Sequence, residues 1–390
     1  MSLDDVDANV AGVSSELRPF RVDVAHEALE DLRDRLRRTR WAEPETVDDW
    51  SQGVPLAYLR DLCTYWETSY DWRRLESRLN ALPAFRTTID ELPLHFVHVR
   101  SPESSALPLV LTHGWPGSYL EFLDVIAPLT DPVAHGGDAR DAFHVVVPSL
   151  PGYGWSGKPS HTGWGIAHIA DAWVTLMQRC GYERFAAQGG DWGAAITTLL
   201  AQRHPERLAG VHLTMVRPVP PHGQATFTPE EQRSIDRGLY HRRWDSGYSK
   251  QQASRPQTLG YGLVDSPVAQ CAWILEKLYA WTDCDGDPVA AFGADRVLDT
   301  ITLYWLTATG ASSGRLYWES FHAMRSADIT VPAGVSQFPY EVVPVPRSWA
   351  EAGFTDLRHW GEPERGGHFA AFEQPSMFVD EVRTTFRSMR

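Results

Sequence analysis

The stretch Gln188-Gly189-Gly190-Asp191-Trp192-Gly193 constrains this chain more than any other. Phe185, Ala186 and Ala187 before it read as the end of a strand, and Ala194 to Leu200 after it read as a helix. A polar residue set among glycines at a strand-to-helix turn has the layout of a nucleophile elbow. Glycines at 189 and 193 lack a Cβ, which permits a sharp turn and close strand–helix packing. Asp191 stands where a serine is usual. A carboxylate held out at such a turn is suited to attack a saturated carbon, giving a covalent alkyl ester that water must later open. The alternative is that Asp191 caps a helix beginning near Trp192, and the stretch alone leaves both open.

Around this turn the pattern alternates between strand and helix. Leu94 to Val99, Leu107 to Thr112, Phe143 to Val147, residues 184–188 and Leu208 to Met215 read as strands, with helices expected at 164–180 and 194–203. The Phe143 to Val147 segment is almost wholly apolar, as a buried parallel strand should be. Such alternation implies an α/β layer architecture with right-handed crossovers. After a flexible lead-in to about residue 18, the chain ahead of Leu92 reads as all-helical, with apolar faces over 24–38, 55–65 and 70–82. The alternation stops after Arg217-Pro218-Val219-Pro220-Pro221, and residues 222–328 are expected to form a mainly helical lid over the elbow. Strand signals return at Gln337 to Pro344 and Asp356 to Gly361, before a last helix at 376–389. The expected division is 1–105 for an N-terminal segment, 106–221 and 329–390 for two parts of the core, and 222–328 for the lid.

Composition narrows the function. Lys+Arg 36 against Asp+Glu 50 gives a formal net charge of −14, which argues against nucleic acid and an anionic surface as partners. Four widely separated cysteines, Cys63, Cys180, Cys271 and Cys284, lack metal-like spacing and read as thiols of a reducing compartment. There is no secretion signal and no stretch of membrane-span length, so a cytoplasmic protein is expected. With 16 tryptophans, 13 tyrosines and 15 phenylalanines, aromatic-lined cavities are expected as well as a core. Gly152-Tyr153-Gly154-Trp155-Ser156-Gly157 fits G-x-G-x-x-G, but prolines separate it from the strand and no helix opens on it. It therefore lacks the context of a dinucleotide site, and neither cofactor nor metal is expected.

An alkyl-Asp ester needs a base to activate water. His368, in Gly366-Gly367-His368-Phe369-Ala370, lies before the last helix, where the order nucleophile, acid, histidine puts the third member of a triad. The orienting acid should follow the penultimate strand. Glu341 has that position, with Asp356, Glu362 and Glu364 as rivals. The loop Thr112-His113-Gly114-Trp115-Pro116-Gly117-Ser118 can set the amide of Trp115 beside that of Trp192, two N–H donors for a developing oxyanion. His113 reads as a residue that holds this loop in shape.

With these residues assembled, the chain closely resembles the epoxide hydrolases of the α/β-hydrolase superfamily, in particular the microsomal-type branch and its bacterial members, some of which serve natural-product pathways. The phrases His113-Gly114-Trp115-Pro116-Gly117-Ser118, Gly189-Gly190-Asp191-Trp192-Gly193 and Gly366-Gly367-His368-Phe369-Ala370 carry the resemblance, together with Tyr70-Asp71-Trp72-Arg73 and Thr88 to His98 in the N-terminal segment. It implies an α/β-hydrolase fold with a helical lid and an N-terminal segment wrapping the core. It implies two lid tyrosines that donate to the epoxide oxygen, falling on Tyr248 and Tyr317, with Glu341 as the acid and a cis Trp115–Pro116 bond. The membrane anchor of the microsomal relatives has no counterpart, so a soluble protein is implied. Tyr261, Tyr279 and Tyr304 are left as lid core. The expected partners are a largely apolar or aromatic epoxide and water; the oligomeric state is open. Haloalkane dehalogenase shares the fold and the aspartate, but a leaving halide calls for N–H donors, whereas an epoxide oxygen calls for O–H donors.

Overall fold

The computed structural model describes residues 16–216, 223–321 and 328–390. Most of the expected lead-in, the Arg217–Pro221 stretch and the end of the expected lid fall outside these residues.

A nine-stranded sheet forms the centre. In chain order its strands are β1 (Arg18–Phe20), β2 (Ala84–Ile89), β3 (Leu92–Val99), β4 (Leu107–Thr112), β5 (Phe143–Pro148), β6 (Phe185–Gly189), β7 (Leu208–Leu213), β8 (Ala333–Ser336) and β9 (Leu357–Gly361). Their spatial order is β1-β2-β3-β5-β4-β6-β7-β8-β9. The β1–β2, β2–β3 and β3–β5 pairings are antiparallel, and the rest are parallel. Helices cover both faces, so the central strands lose their polar alternation. Leu109, Val110 and Leu111 of β4 and Val145, Val146 and Val147 of β5 have no exposed surface. Each such side chain contributes roughly 1.5–3 kcal/mol on burial. The pairing of Thr112 with Gly189 levels the ends of β4 and β6, and so brings the loop after β4 beside the elbow after β6.

The helices lie close to their sequence-based positions. They include His26–Arg37, Leu56–Thr68 and Trp72–Asn80 ahead of the core, Ile166–Arg179 and Asp191–Arg203 against the sheet, and Pro375–Phe386 at the end. Between β7 and β8 the described residues are mainly helical, from Pro229–Tyr240 to Gly310–Ser320. The N-terminal helices grip this helical layer directly. Tyr58 donates to Asp287 at 2.6 Å, Tyr70 to Asp299 at 2.8 Å, and Arg74 to Asp299 at 2.6 Å. The Gly152–Gly157 loop has a mechanical role. Ser312 Oγ donates to Gly152 O at 2.6 Å and Tyr153 Oη to Ser313 O at 3.1 Å, which ties the core to helix Gly310–Ser320.

Three expectations need correction. The chain ahead of Leu92 is not all-helical: Arg18–Phe20 and Ala84–Ile89 are strands, the latter paired with β3. Asp90 and Glu91 link them with φ of 45° and 65°, a two-residue turn of the hairpin kind. The β-branched run Thr87-Thr88-Ile89 was the available signal. Gln337 to Pro344 is a loop, and the strand lies earlier, in Ala333-Gly334-Val335-Ser336. Small residues are needed there because a Cβ on Gly334 would lie 2.5 Å from the Thr385 side chain. Tyr261 is exposed rather than lid core, whereas Tyr304 is buried and Tyr279 stacks on Trp50 at 4.0 Å.

Candidate active site

Asp191 opens helix Asp191–Arg203 with φ of 50°, a left-handed conformation rare for a side chain with a Cβ. The turn is possible because its neighbours are bare. A Cβ on Gly189 would lie 2.1 Å from Gly193 O, and one on Gly193 would lie 1.9 Å from Thr112 O. Gly190 occupies the cap position, and the Asp191 carboxylate turns to other partners. Oδ1 accepts from Trp115 N at 2.8 Å, and Oδ2 lies 3.4 Å from His368 Nε2. The amide of Trp192 is a first-turn donor, which has no acceptor within its own helix. Trp115–Pro116 is cis.

His368 is fixed from both sides of its loop. Its amide donates to Trp281 O at 2.9 Å, and Tyr340 N donates to Gly366 O at 3.0 Å, which joins the loops after β8 and β9. His368 Nδ1 lies 2.7 Å from Glu341 Oε1, both side chains being 2% exposed. Burial alone would lower the imidazole pKa. The Glu341 charge and the Asp191 hydrogen bond outweigh it and hold the group well above its usual value. The rival acids are elsewhere: Asp356 pairs with Arg358, Glu362 accepts from Trp360, and Glu364 is exposed. His113 donates through Nδ1 to Gly114 O at 2.9 Å and accepts from Leu150 N at 3.1 Å. Burial pushes it down to about 4, so it stays neutral and holds the loop.

Above Asp191 is a cavity of about 460 Å³, lined among others by Trp192, Tyr248, Trp281, Tyr317 and His368. Tyr248 stacks on Trp115 at 5.0 Å, and Tyr317 meets Trp192 edge-on at 4.7 Å. Tyr248 and Tyr317 lie 5.8 Å apart and nearly perpendicular. Burial first, and the charge of Asp191 among the further causes, raise both phenols well above their usual pKa. They remain O–H donors. The structure thus brings Asp191, His368, Glu341, Tyr248, Tyr317, Trp115 and Trp192 to one place. Among the described residues no cluster of potential metal ligands is found.

Sequence reasoning missed three neighbours. Trp281 lies edge-on to His368 at 5.1 Å and donates to Asp245 Oδ2 at 2.7 Å. Lys277, buried in a largely apolar helix, lies 2.9 Å from Asp245 Oδ1. Asp245 is held down to about 2, because the His241 hydrogen bond and the Lys277 charge outweigh the effect of burial. A lone lysine in the apolar run Pro267–Trp281 was the available signal. The third is Glu121, whose carboxyl accepts from Ser118 N at 3.1 Å.

The fold and the aspartate elbow define a member of the α/β-hydrolase class. The model described as "alpha/beta hydrolase fold" matches residues 108–243, and "Epoxide hydrolase N terminus" matches residues 17–122. The chain is 54% identical over 376 residues to a putative epoxide hydrolase of Stigmatella aurantiaca, covering 96% of this chain and 86% of that one. It is 34% identical to epoxide hydrolase 1 of Oryctolagus cuniculus, covering 94% of this chain and 88% of that one. Among solved structures, the Aspergillus niger epoxide hydrolase superposes with a TM-score of 0.87 at 31% identity, over 96% of this chain and 97% of that one. The juvenile hormone epoxide hydrolase of Bombyx mori gives 0.88 at 29%, over 97% and 95%. The chain belongs to the epoxide hydrolase family.

Proposed function

We propose that this protein is an epoxide hydrolase of the microsomal-type branch, converting an apolar or aromatic epoxide to a vicinal diol in two steps through an ester on Asp191. The observation that carries this reading is the Asp191 carboxylate set between the Trp115 amide and His368, beneath a cavity lined by two neutral phenols. In the first step Asp191 attacks an epoxide carbon while Tyr248 and Tyr317 hydrogen-bond the oxygen that becomes an alkoxide. Carboxylate, imidazolium and epoxide become hydroxy-ester and neutral imidazole, so charge balances. Esterification removes the Asp191 charge that helped keep His368 protonated. His368 thereby becomes a base when one is required. In the second step it takes a proton from water attacking Cγ, with Glu341 supporting the imidazolium and the amides of Trp115 and Trp192 facing the oxyanion.

The phenols favour epoxides over haloalkanes, because a departing halide needs no proton. The branch is inferred from the resemblance of the His113–Ser118, Gly189–Gly193 and Gly366–Ala370 phrases. The segment boundaries at 105, 221 and 328 are kept as the proposed division of the chain. No helix among the described residues is long and apolar enough to cross a membrane.

Single-turnover reaction of styrene oxide in heavy-oxygen water tests the scheme. The new diol oxygen should be unlabelled, because it comes from Asp191. Label in the diol on the first turnover would replace the ester with direct attack by water, and chloride release from haloalkanes without diol formation would favour the dehalogenase.

A further inference from the structure

A second cavity lies against Asp191 and is lined by core residues alone, among them Gly114, Glu121, Gln188, Asp191, Thr214 and His368. Its volume of about 20 Å³ suits one water molecule, which needs roughly 10–15 Å³ and two to four polar partners. At this site Gln188 Oε1 is a buried acceptor with no hydrogen-bond partner, and buried His368 Nε2 has only the ion pair with Asp191 Oδ2 at 3.4 Å. An unpaired buried acceptor costs about 1–3 kcal/mol, so Gln188 Oε1 calls for a donor, and neutral His368 Nε2 calls for one once esterification removes the Asp191 charge. Glu121 is the third polar group. Its partial accessibility fits a side chain that lines a water-sized space. Burial, against a weaker pull from His368, pushes its carboxyl up to about 8, which favours the protonated form that can donate.

We propose that this cavity is the binding site of the hydrolytic water, and that Gln188 and Glu121 are the residues that position it. The proposal rests on the Asp191 ester scheme and adds where the water waits and what holds it. The water gives one hydrogen to neutral His368 Nε2 and the other to Gln188 Oε1, and Glu121 contacts its oxygen. A lone pair is left for Asp191 Cγ. On attack, the oxygen–Cγ bond forms and one water proton passes to His368. The Cγ–alkoxy bond then breaks, the leaving oxygen takes the remaining proton from the water-derived hydroxyl, and Asp191 returns as a carboxylate. The site also separates the reactants, since water approaches from the core and the epoxide from the lid side.

Stopped-flow tryptophan fluorescence and intact-protein mass, with styrene oxide as the probe, read alkylation and hydrolysis separately. Gln188→Met keeps the bulk and removes the acceptor. It should slow ester hydrolysis by roughly 10- to 100-fold, the loss of one such hydrogen bond, leave alkylation within about 2-fold, and accumulate the adduct. Glu121→Gln keeps the acceptor for Ser118 and should slow hydrolysis by only about 3- to 10-fold, whereas Glu121→Leu should match Gln188→Met. A purely structural role would depress both steps together and overturns the proposal, as does unchanged hydrolysis in Gln188→Met. If a variant does not fold, a high-resolution crystal structure of the wild-type protein decides: an ordered water bonded to Gln188 Oε1 supports the proposal, and a dry cavity overturns it. Absence of any wild-type adduct is a separate outcome that removes the ester scheme itself.

Discussion

Lys277 Nζ lies 4.6 Å from the centre of the Tyr248 ring, on a side chain only 3% exposed. The same ammonium pairs with Asp245 at 2.9 Å, and Asp245 accepts from Trp281 at 2.7 Å. A buried ion pair and a cation–π contact thus fix the ring that carries one of the two phenols. Lys277→Met should leave Asp245 buried with one fewer partner and destabilise the fold by about 3 kcal/mol, read by urea denaturation. Ester formation should slow by roughly 10-fold, in keeping with a cation–π contribution of about 1–2 kcal/mol. Hydrolysis of a preformed ester should change little.

Tyr248 and Tyr317 share one developing alkoxide in the proposed mechanism. Each Tyr→Phe change should slow alkylation by roughly 100-fold, the effect of one lost donor at such a site. The double variant should not alkylate. Pre-steady-state fluorescence checks this, and near-normal alkylation by the double variant would refute the role of the phenols.

His368→Gln should accumulate an adduct whose mass increase equals that of the epoxide, because the second step has no other base, whereas solvent can supply the proton that the imidazolium gives to the alkoxide in the first. Glu341→Gln should slow the same step, since Glu341 Oε1 is the partner of His368 Nδ1. Glu362→Gln, at an exposed side chain, should retain full activity. Greater loss there than in Glu341→Gln would show the acid to be misassigned.

The His368 imidazole should remain protonated above its usual range in the free protein, because Glu341 and Asp191 together outweigh burial. A group raised on folding stabilises fully below its unfolded pKa, and that contribution is lost as pH rises through the folded value. Asp191→Asn removes one of the two charges. Its imidazole should therefore titrate at lower pH by NMR, and its stability should begin to fall at lower pH than in the wild-type protein. Identical titration in the two proteins would show that Asp191 does not govern His368.

Gly114→Ala should abolish alkylation in a folded protein. A Cβ there would lie 2.2 Å from Asp191 Oδ1 and 2.3 Å from Asp191 Cβ, so the side chain would have to leave its place beside the Trp115 amide. Circular dichroism should be native-like while the adduct fails to form.

The sequence by itself determined the class of fold and pointed to the residues proposed to carry the chemistry. Glycines around Asp191 and before His368, and apolar runs such as Val145-Val146-Val147, are local demands of backbone sterics and burial, so they are written locally. Tertiary structure decided whatever depends on residues far apart in the chain. Ala333–Ser336 is a strand because its small residues fit under Thr385, although the stronger alternation lies in Gln337 to Pro344. Glu341, rather than Asp356 or Glu362, meets His368 because the loops after β8 and β9 are joined at Tyr340 and Gly366. The Lys277–Asp245 pair beneath Tyr248, and the small cavity shared by Glu121, Gln188 and His368, exist only once separate segments pack together. Short-range sterics and hydrophobic pattern can be read along a chain. Which buried polar group finds which partner is fixed by packing, where desolvation makes every unpaired group costly.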